Sequence, residues 1–352
     1  VDEAGAPTGA ETELAEAQVT IEELLLGGRP SLTRQEVADR AGLPLPVAEL
    51  LWQLLGFART SDDDAAFTEA DVAALEQAKE LMELGVISPE SQEALVRTWG
   101  RSYARLAEWQ AALLTDIALD HPDPARRLDE LAESALPRVE ALQGYAWRRH
   151  LASATARTLS VDAPGSSTAV LAVGFVDIVG YTSRSKSLDE HELVGWLEHF
   201  ESEAASAVVS HGGRIIKTIG DEVLYVADRP EHAAEVALRL AERGADEDDA
   251  FPAVRAGVAY GDVVGRLGDV FGPTVNIAAR LTSVARPGTV LVDRGCAEAL
   301  TAGGAAYVLR EMRRTPVKGY ARLHPWVLRR PRGGGAGGGE AAATSPSGGP
   351  RT

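Results

Sequence analysis

The apolar rhythm of this chain changes once, near "SVDAPGSST" at 160–168, and that change limits the folds open to it. Upstream, from about Val19 to His150, apolar residues recur three and four apart, the period of helices with one buried face. "SLTRQEVADRAG" places Thr33 three residues before Glu36, a capping-box spacing, with Gly42 as the stop. "FTEADVAALEQAKELMELG" repeats the device with Thr68, Asp71 and Gly85. Two further helical segments follow, "ESQEALVRTWGRSYARLAEWQAALL" and "ARRLDELAESALPRVEALQGYAWRRHL". Downstream, short apolar runs alternate with helical ones. "TAVLAVGFVDI", "RIIKTI", "EVLYVA", "VRAGVAYGDVV" and "GTVLVD" predict strands, and "AYVLREMRRTPVKG" with "HPWVLR" predicts a closing hairpin. Strand–helix–strand–strand–helix–strand is the order of a ferredoxin-like α+β core.

At 352 residues the chain exceeds one ordinary core, so two domains are expected. The boundaries read as an unordered start at 1–16, an all-helical domain at 17–150, a linker at 151–167, an α+β domain at 168–330 and a flexible Gly-rich tail at 331–352. A net charge of −17 argues against any large surface for nucleic acid or anionic membrane. The single cysteine, Cys296, excludes an intrachain disulfide and reads as a small apolar helix residue. No run reaches the roughly 18 apolar residues of a membrane helix, and "VDEAGAPTGAETE" lacks the regions of a secretory signal. The expectation is a cytoplasmic protein.

The chemistry gathers in three stretches. In "GGRIIKTIGDEVLYVAD", Gly220-Asp221 joins two strands in a tight hairpin, and Lys217 stands four residues before the aspartate. By itself this is ordinary turn chemistry. In "AVGFVDIVGY", Asp177 interrupts an apolar strand, where a carboxylate is costly unless it is paired or binds a cation. A ferredoxin-like sheet brings the end of its first strand beside the next hairpin. Asp177 and Asp221 can then meet, and two such carboxylates repel unless a divalent metal holds them. In "GDVFGPTVNIAARL", Pro273 suits the first position of a helix on which Asn276 and Arg280 share one face. An amide and a guanidinium so placed suit ribose and phosphate contacts, or simply a solvated face.

Together, "FVDIVGYT", "GGRIIKTIGDEVLYV" and "GDVFGPTVNIAARL", in this order and spacing, resemble the catalytic domain of class III nucleotidyl cyclases. The likeness covers about Thr168 to Arg330. It implies an adenylyl cyclase that converts ATP to 3′,5′-cyclic AMP and pyrophosphate by in-line attack of the ribose 3′-hydroxyl. By this resemblance Asp177 and Asp221 hold two Mg²⁺ or Mn²⁺ ions per site, and Lys217 and Asp269 select adenine. Asn276 orients the ribose, Arg280 stabilises charge on the α-phosphate, and Lys318 and Arg266 contact the β- and γ-phosphates. Guanylyl cyclases of the family have other residue types where this chain has Lys217 and Asp269, so ATP is the substrate expected. Family sites form head to tail between two catalytic domains. One such domain per chain therefore implies a homodimer, with no nucleic acid and no membrane as partner.

The front half is similar to a MerR-type helix-turn-helix, but its second helix offers Glu49 and Gln53 and no basic residue before Arg59. Protein contact is the expectation there. The whole arrangement resembles actinobacterial cyclases whose all-helical domain restrains the catalytic pair, sometimes in response to pH, with His121 and His150 as groups that titrate near neutrality. Two alternatives stand: a helix-turn-helix regulator that senses nucleotide without turnover, and a diguanylate cyclase. The Gly-Asp-Glu hairpin suits the latter, whereas Asn276, Arg280 and Asp269 have no place in it.

Overall fold

The computed structural model describes residues 18–331, apart from 88, 160–167, 247, 305, 313–314 and 318–319 and the side chains of 89–92, 315–317 and 320–322. Lys318, the first seventeen residues and the Gly-rich tail beyond 331 lie outside the described residues. The chain divides into two compact units, Val1–Gly165 and Ser166–Thr352.

The first unit is helical. After a helical stretch at 18–25 come α1 (Arg34–Ala41), α2 (Leu45–Leu55), α3 (Glu69–Glu83), α4 (Pro89–Leu119), α5 (Pro124–Ser134) and α6 (Leu136–Leu159). Both expected capping boxes form, Thr33 with Glu36 and Thr68 with Asp71, and Gly42 closes α1 in the left-handed conformation. Val37, Ala48, Leu51, Val72 and Val96 build the core of α1–α4, and Trp52 stacks on Phe67 at 4.6 Å. The last expected helical segment is broken. Pro137, in the first turn of α6, cannot continue α5, so the chain restarts there. Helix α6 then runs to Leu159, so residues 151–159, placed in the linker but helical in their sequence pattern, form the end of that helix. No residue of α6 is buried, and Trp109 on α4 and Leu142 and Trp147 on α6 stay more than half exposed.

The second unit carries an eight-stranded sheet in the order β2-β3-β1-β4-β6-β10-β7, with β5 pairing β4. Its strands are β1 (Thr168–Ile178), β2 (Gly213–Ile219), β3 (Glu222–Ala227), β4 (Val254–Arg266), β5 (Asp269–Phe271), β6 (Val290–Val292), β7 (Val308–Glu311) and β10 (Trp326–Arg329). A separate ribbon pairs β8 (Thr315–Val317) with β9 (Tyr320–Leu323). The expected closing hairpin appears as β7 against β10, with this ribbon inserted between them. Helices α7 (Tyr181–Arg184), α8 (Glu190–Ser210), α9 (Pro230–Arg243), α10 (Pro273–Val284) and α11 (Arg294–Ala302) complete the unit. The strand–helix–strand–strand–helix–strand order is that of the expected α+β fold.

Strand alternation sorts β1 between two cores. Ala172, Val176 and Ile178 join the layer that contains α8, α9 and α11, while Leu171, Val173 and Phe175 face the layer beneath α10. Gly174 leaves room for the ring of Tyr225, whose buried hydroxyl donates to the Ala233 carbonyl at 2.8 Å. Glycine also seats α10. A Cβ on Gly257 of β4 would lie 2.5 Å from the Ala278 carbonyl oxygen and from the Thr282 nitrogen. The bare backbone there lets α10 lie close on β4.

Candidate active site

The site begins where β1 leaves the core. Leu171, Val173, Phe175 and Asp177 share one sheet face, so the apolar series ends in a carboxylate on that face. Asp177 stands in register opposite Glu222 on β3 and opposite Arg255 on β4. Both neighbours therefore point to the same side. The Arg255 Nε donates to Asp177 Oδ2 at 2.6 Å, and the guanidinium also reaches the Ser283 carbonyl near the end of α10 at 3.4 Å.

Asp221 arrives from the hairpin. Gly220 takes the left-handed φ of 62° that a two-residue turn demands, which sets Asp221 at the mouth of β3. The Ile178 N–H donates to the Asp221 carbonyl at 3.1 Å, and the Asp177 and Asp221 carboxyls come within hydrogen-bonding reach of each other. The meeting of these two aspartates, expected from sequence, is present. Burial, followed by the charge of Asp177, raises the Asp221 carboxyl above its ordinary range. Burial and then Asp177 and Asp221 push Glu222 up to about 7, against the pull of Arg255.

Three carboxylates with one guanidinium form an electron-rich cluster that a divalent cation would relieve, so the donor set fits hard metal ions. Among the described residues no group of three or more His, Cys, Asp or Glu is arranged to enclose a metal by itself. Asp177 and Asp221 can thus supply part of a coordination shell, leaving positions for water or a phosphorylated ligand.

The second group of residues lies apart from this cluster in its connections. Lys217 of β2 donates to Asp269 Oδ2 of β5 at 2.6 Å, across 52 residues of chain. The Val270 N–H donates to the other Asp269 oxygen at 2.8 Å. Both side chains keep some exposure, and each has unused hydrogen-bonding capacity. Arg266 is exposed and stands in register opposite Asp269, away from the carboxylate cluster. Helix α10 starts at Pro273 as expected, and Thr274, Ala278, Leu281 and Thr282 are buried on its inner side. Asn276 and Arg280 are both exposed, one helical turn apart on the outer side. Thr274 Oγ1 donates to the Asp262 carbonyl at 2.7 Å and fixes the start of that helix.

Glu222 and Arg255 were not among the residues singled out from sequence. Their signal lies in the alternation. Glu222 precedes the inward series Leu224 and Val226, and Arg255 precedes Gly257 and Ala259. Each is the charged end of an otherwise apolar face, as Asp177 is on β1.

The family model for the adenylate and guanylate cyclase catalytic domain matches residues 165–330. An adenylate cyclase of Glutamicibacter nicotianae is 39% identical over 336 residues, covering 90% of this chain and 83% of that one. Another from Streptomyces coelicolor is 37% identical over 365 residues, covering 95% of each. This chain belongs to the class III adenylyl cyclases. The cyclase makes cyclic AMP from ATP. It is also 31% identical over 284 residues to a pH-sensitive adenylate cyclase of Mycobacterium tuberculosis, across 76% of this chain and 70% of that one. Among solved structures, an adenylate/guanylate cyclase/hydrolase from Silicibacter pomeroyi aligns with 47% of the cyclase and 99% of that chain, at 26% identity and a TM-score of 0.40. No described helix of the cyclase is long and apolar enough to cross a membrane.

Proposed function

We propose that the cyclase works as a homodimer with two equivalent sites, each drawing its metal carboxylates from one chain and its purine, ribose and α-phosphate contacts from the other. The observation that carries this reading is the orientation of α10. Asn276 and Arg280 are exposed on the side of the helix opposite the buried Ala278, Leu281 and Thr282, so they are free to meet a second copy. In this reading Asp177 and Asp221 hold two Mg²⁺ or Mn²⁺ ions. When bound, the ions would lower the pKa of the 3′-hydroxyl and share the charge of the departing pyrophosphate.

The side chains do the rest. Lys217 donates to a ring nitrogen of adenine, and Asp269 accepts from the exocyclic amine. Their mutual ion pair holds both in place before the base arrives. Asn276 orients the ribose so that its hydroxyl faces the α-phosphorus, and Arg280 donates to α-phosphate oxygens as their charge grows. Arg266 and Lys318 remain as phosphate contacts in this scheme. Arg255, already beside Asp177, joins them as the cation nearest the carboxylates.

We further propose that residues 17–150 dimerise and restrain the catalytic pair, with pH as one signal. The exposed Trp109, Leu142 and Trp147 support self-association of this unit, because single-chain packing leaves them in water. His121 and His150 are both exposed. Likeness to the pH-sensitive relative supports the choice of signal. A full-length double variant, His121→Gln with His150→Gln, should flatten the pH–activity profile. An unchanged profile would remove these histidines from the scheme.

The deciding experiment for the chemistry is product identification with Mn²⁺ and either ATP or GTP, on the wild-type protein and on Asp221→Asn. Cyclic AMP from ATP, little product from GTP and loss in the variant are expected. Equal turnover of both nucleotides would contradict the purine assignment.

A further inference from the structure

The turn that follows Asp177 runs straight into α7, a helix of only four residues. Helices this short do not hold themselves together in water, so something else must fix it. At its start, Gly180 adopts a left-handed φ of 75°. The two residues before Gly180 are anchored by backbone hydrogen bonds, Ile178 N–H to the Asp221 carbonyl at 3.1 Å and Val179 N–H to the Ala253 carbonyl at 2.8 Å. Beyond Gly180 the anchoring passes to side chains.

Tyr181 and Arg184, the first and last residues of α7, both dock on one indole. The Tyr181 ring stacks on Trp196 of α8 with centroids 6.1 Å apart and planes 10° from parallel. The Arg184 guanidinium lies 4.9 Å from the centre of the same ring. Among the described residues Arg184 has no carboxylate partner, so the indole is the group that holds its charge. Trp196 and Tyr181 are also packed against the main core of the unit. Trp196 therefore links helix α8, packed on the core, to the segment on which Asp177 is carried.

We propose that Trp196 is a positioning residue for the metal-binding end of the site. Its ring pins both ends of α7 and, through Gly180, fixes the Asp177–Gly180 turn beside Asp221. The bulk of the indole is what this requires: one ring system large enough to meet both a tyrosine ring and a guanidinium one helical turn apart. The proposal rests on the reading that Asp177 and Asp221 hold the metal ions.

The test uses the full-length protein. Trp196→Ala should raise the half-saturating Mn²⁺ concentration, read by electron paramagnetic resonance with a non-reactive ATP analogue, by about 5- to 10-fold. In the same variant, amide exchange should quicken in residues 178–185 and stay unchanged in β2 and α10. The preference for ATP over GTP should also stay unchanged, because the Lys217–Asp269 pair is not touched. Trp196→Tyr keeps an aromatic platform and should recover Mn²⁺ binding to within about threefold of wild type. Wild-type Mn²⁺ binding in Trp196→Ala, or equal losses in the alanine and tyrosine variants, would overturn the proposal. If Trp196→Ala does not fold, the exposed Arg184→Ala decides: faster exchange at 178–185 with weaker Mn²⁺ binding supports the proposal, and no change in either rejects it. Asp221→Asn separates the two layers, since undiminished Mn²⁺ binding there would defeat the metal assignment itself.

Discussion

At one end of the candidate site Lys217 and Asp269 neutralise each other at 2.6 Å, whereas at the other Asp177, Asp221 and Glu222 share the charge of Arg255. The first arrangement is a closed ion pair that keeps spare donors and acceptors. The second is over-supplied with negative charge, and burial raises two of its three carboxyls. The contrast between a balanced pair and an unbalanced cluster fits the proposed division between purine selection and metal binding.

The largest break in that contrast should come from the carboxylate end. Asp177→Asn should cut turnover by about 10²- to 10³-fold, with dimerisation intact, as measured by cyclic AMP yield and by sedimentation. Next is the spacing that α10 imposes. Gly257→Ala drives a methyl into the backbone of α10 and should cost about 2–4 kcal/mol in denaturant melts. Turnover should fall with it, because Asn276 and Arg280 ride on that helix.

The balanced end responds differently. Lys217→Met should lower the preference for ATP over GTP by roughly 10- to 100-fold while leaving kcat with saturating ATP less affected. Its stability should change by less than about 1 kcal/mol, because the ion pair is part-exposed. The smallest effect concerns pH. Glu222 has a folded-state pKa above its ordinary value, so between about 4.5 and about 7 the native protein binds more protons than the unfolded one. Its contribution to stability is therefore greatest at low pH and is lost as pH rises through that window. In metal-free buffer Glu222→Gln should raise the melting temperature at pH 8 and leave it nearly unchanged at pH 4. After solvent screening the difference should be about 1–2 kcal/mol or less. Destabilisation at pH 8 would mean that the cluster is not over-charged.

Much of this site could be read from sequence because its signals are local. Gly220-Asp221 specifies a two-residue hairpin, Pro273 starts a helix, and Asn276 and Arg280 are one turn apart on it. Asp177 was conspicuous as a charge inside an apolar run. Arg255 and Glu222 were less legible because their importance depends on register. Only when β3 and β4 flank β1 do the two residues fall opposite Asp177. The same holds for Trp196, which reads as one more apolar position of α8 until α7 docks on it. In the helical unit the capping boxes were plain, and so was the helical pattern that runs to Leu159, but the break before Pro137 was not. Apolar residues continue at helical spacing through that break, so periodicity alone does not mark it.

If one site takes residues from two chains, two inactive proteins should restore activity when they are mixed. Asp177→Ala and Arg280→Ala homodimers each lack one half of both sites. When the two variants are co-expressed, the mixed dimer has one intact site and one doubly damaged site, so cyclic AMP production should return to a substantial fraction of the wild-type level. If verified mixed dimers remain as inactive as their parents, the carboxylates and Arg280 act within a single chain and the composite site is wrong.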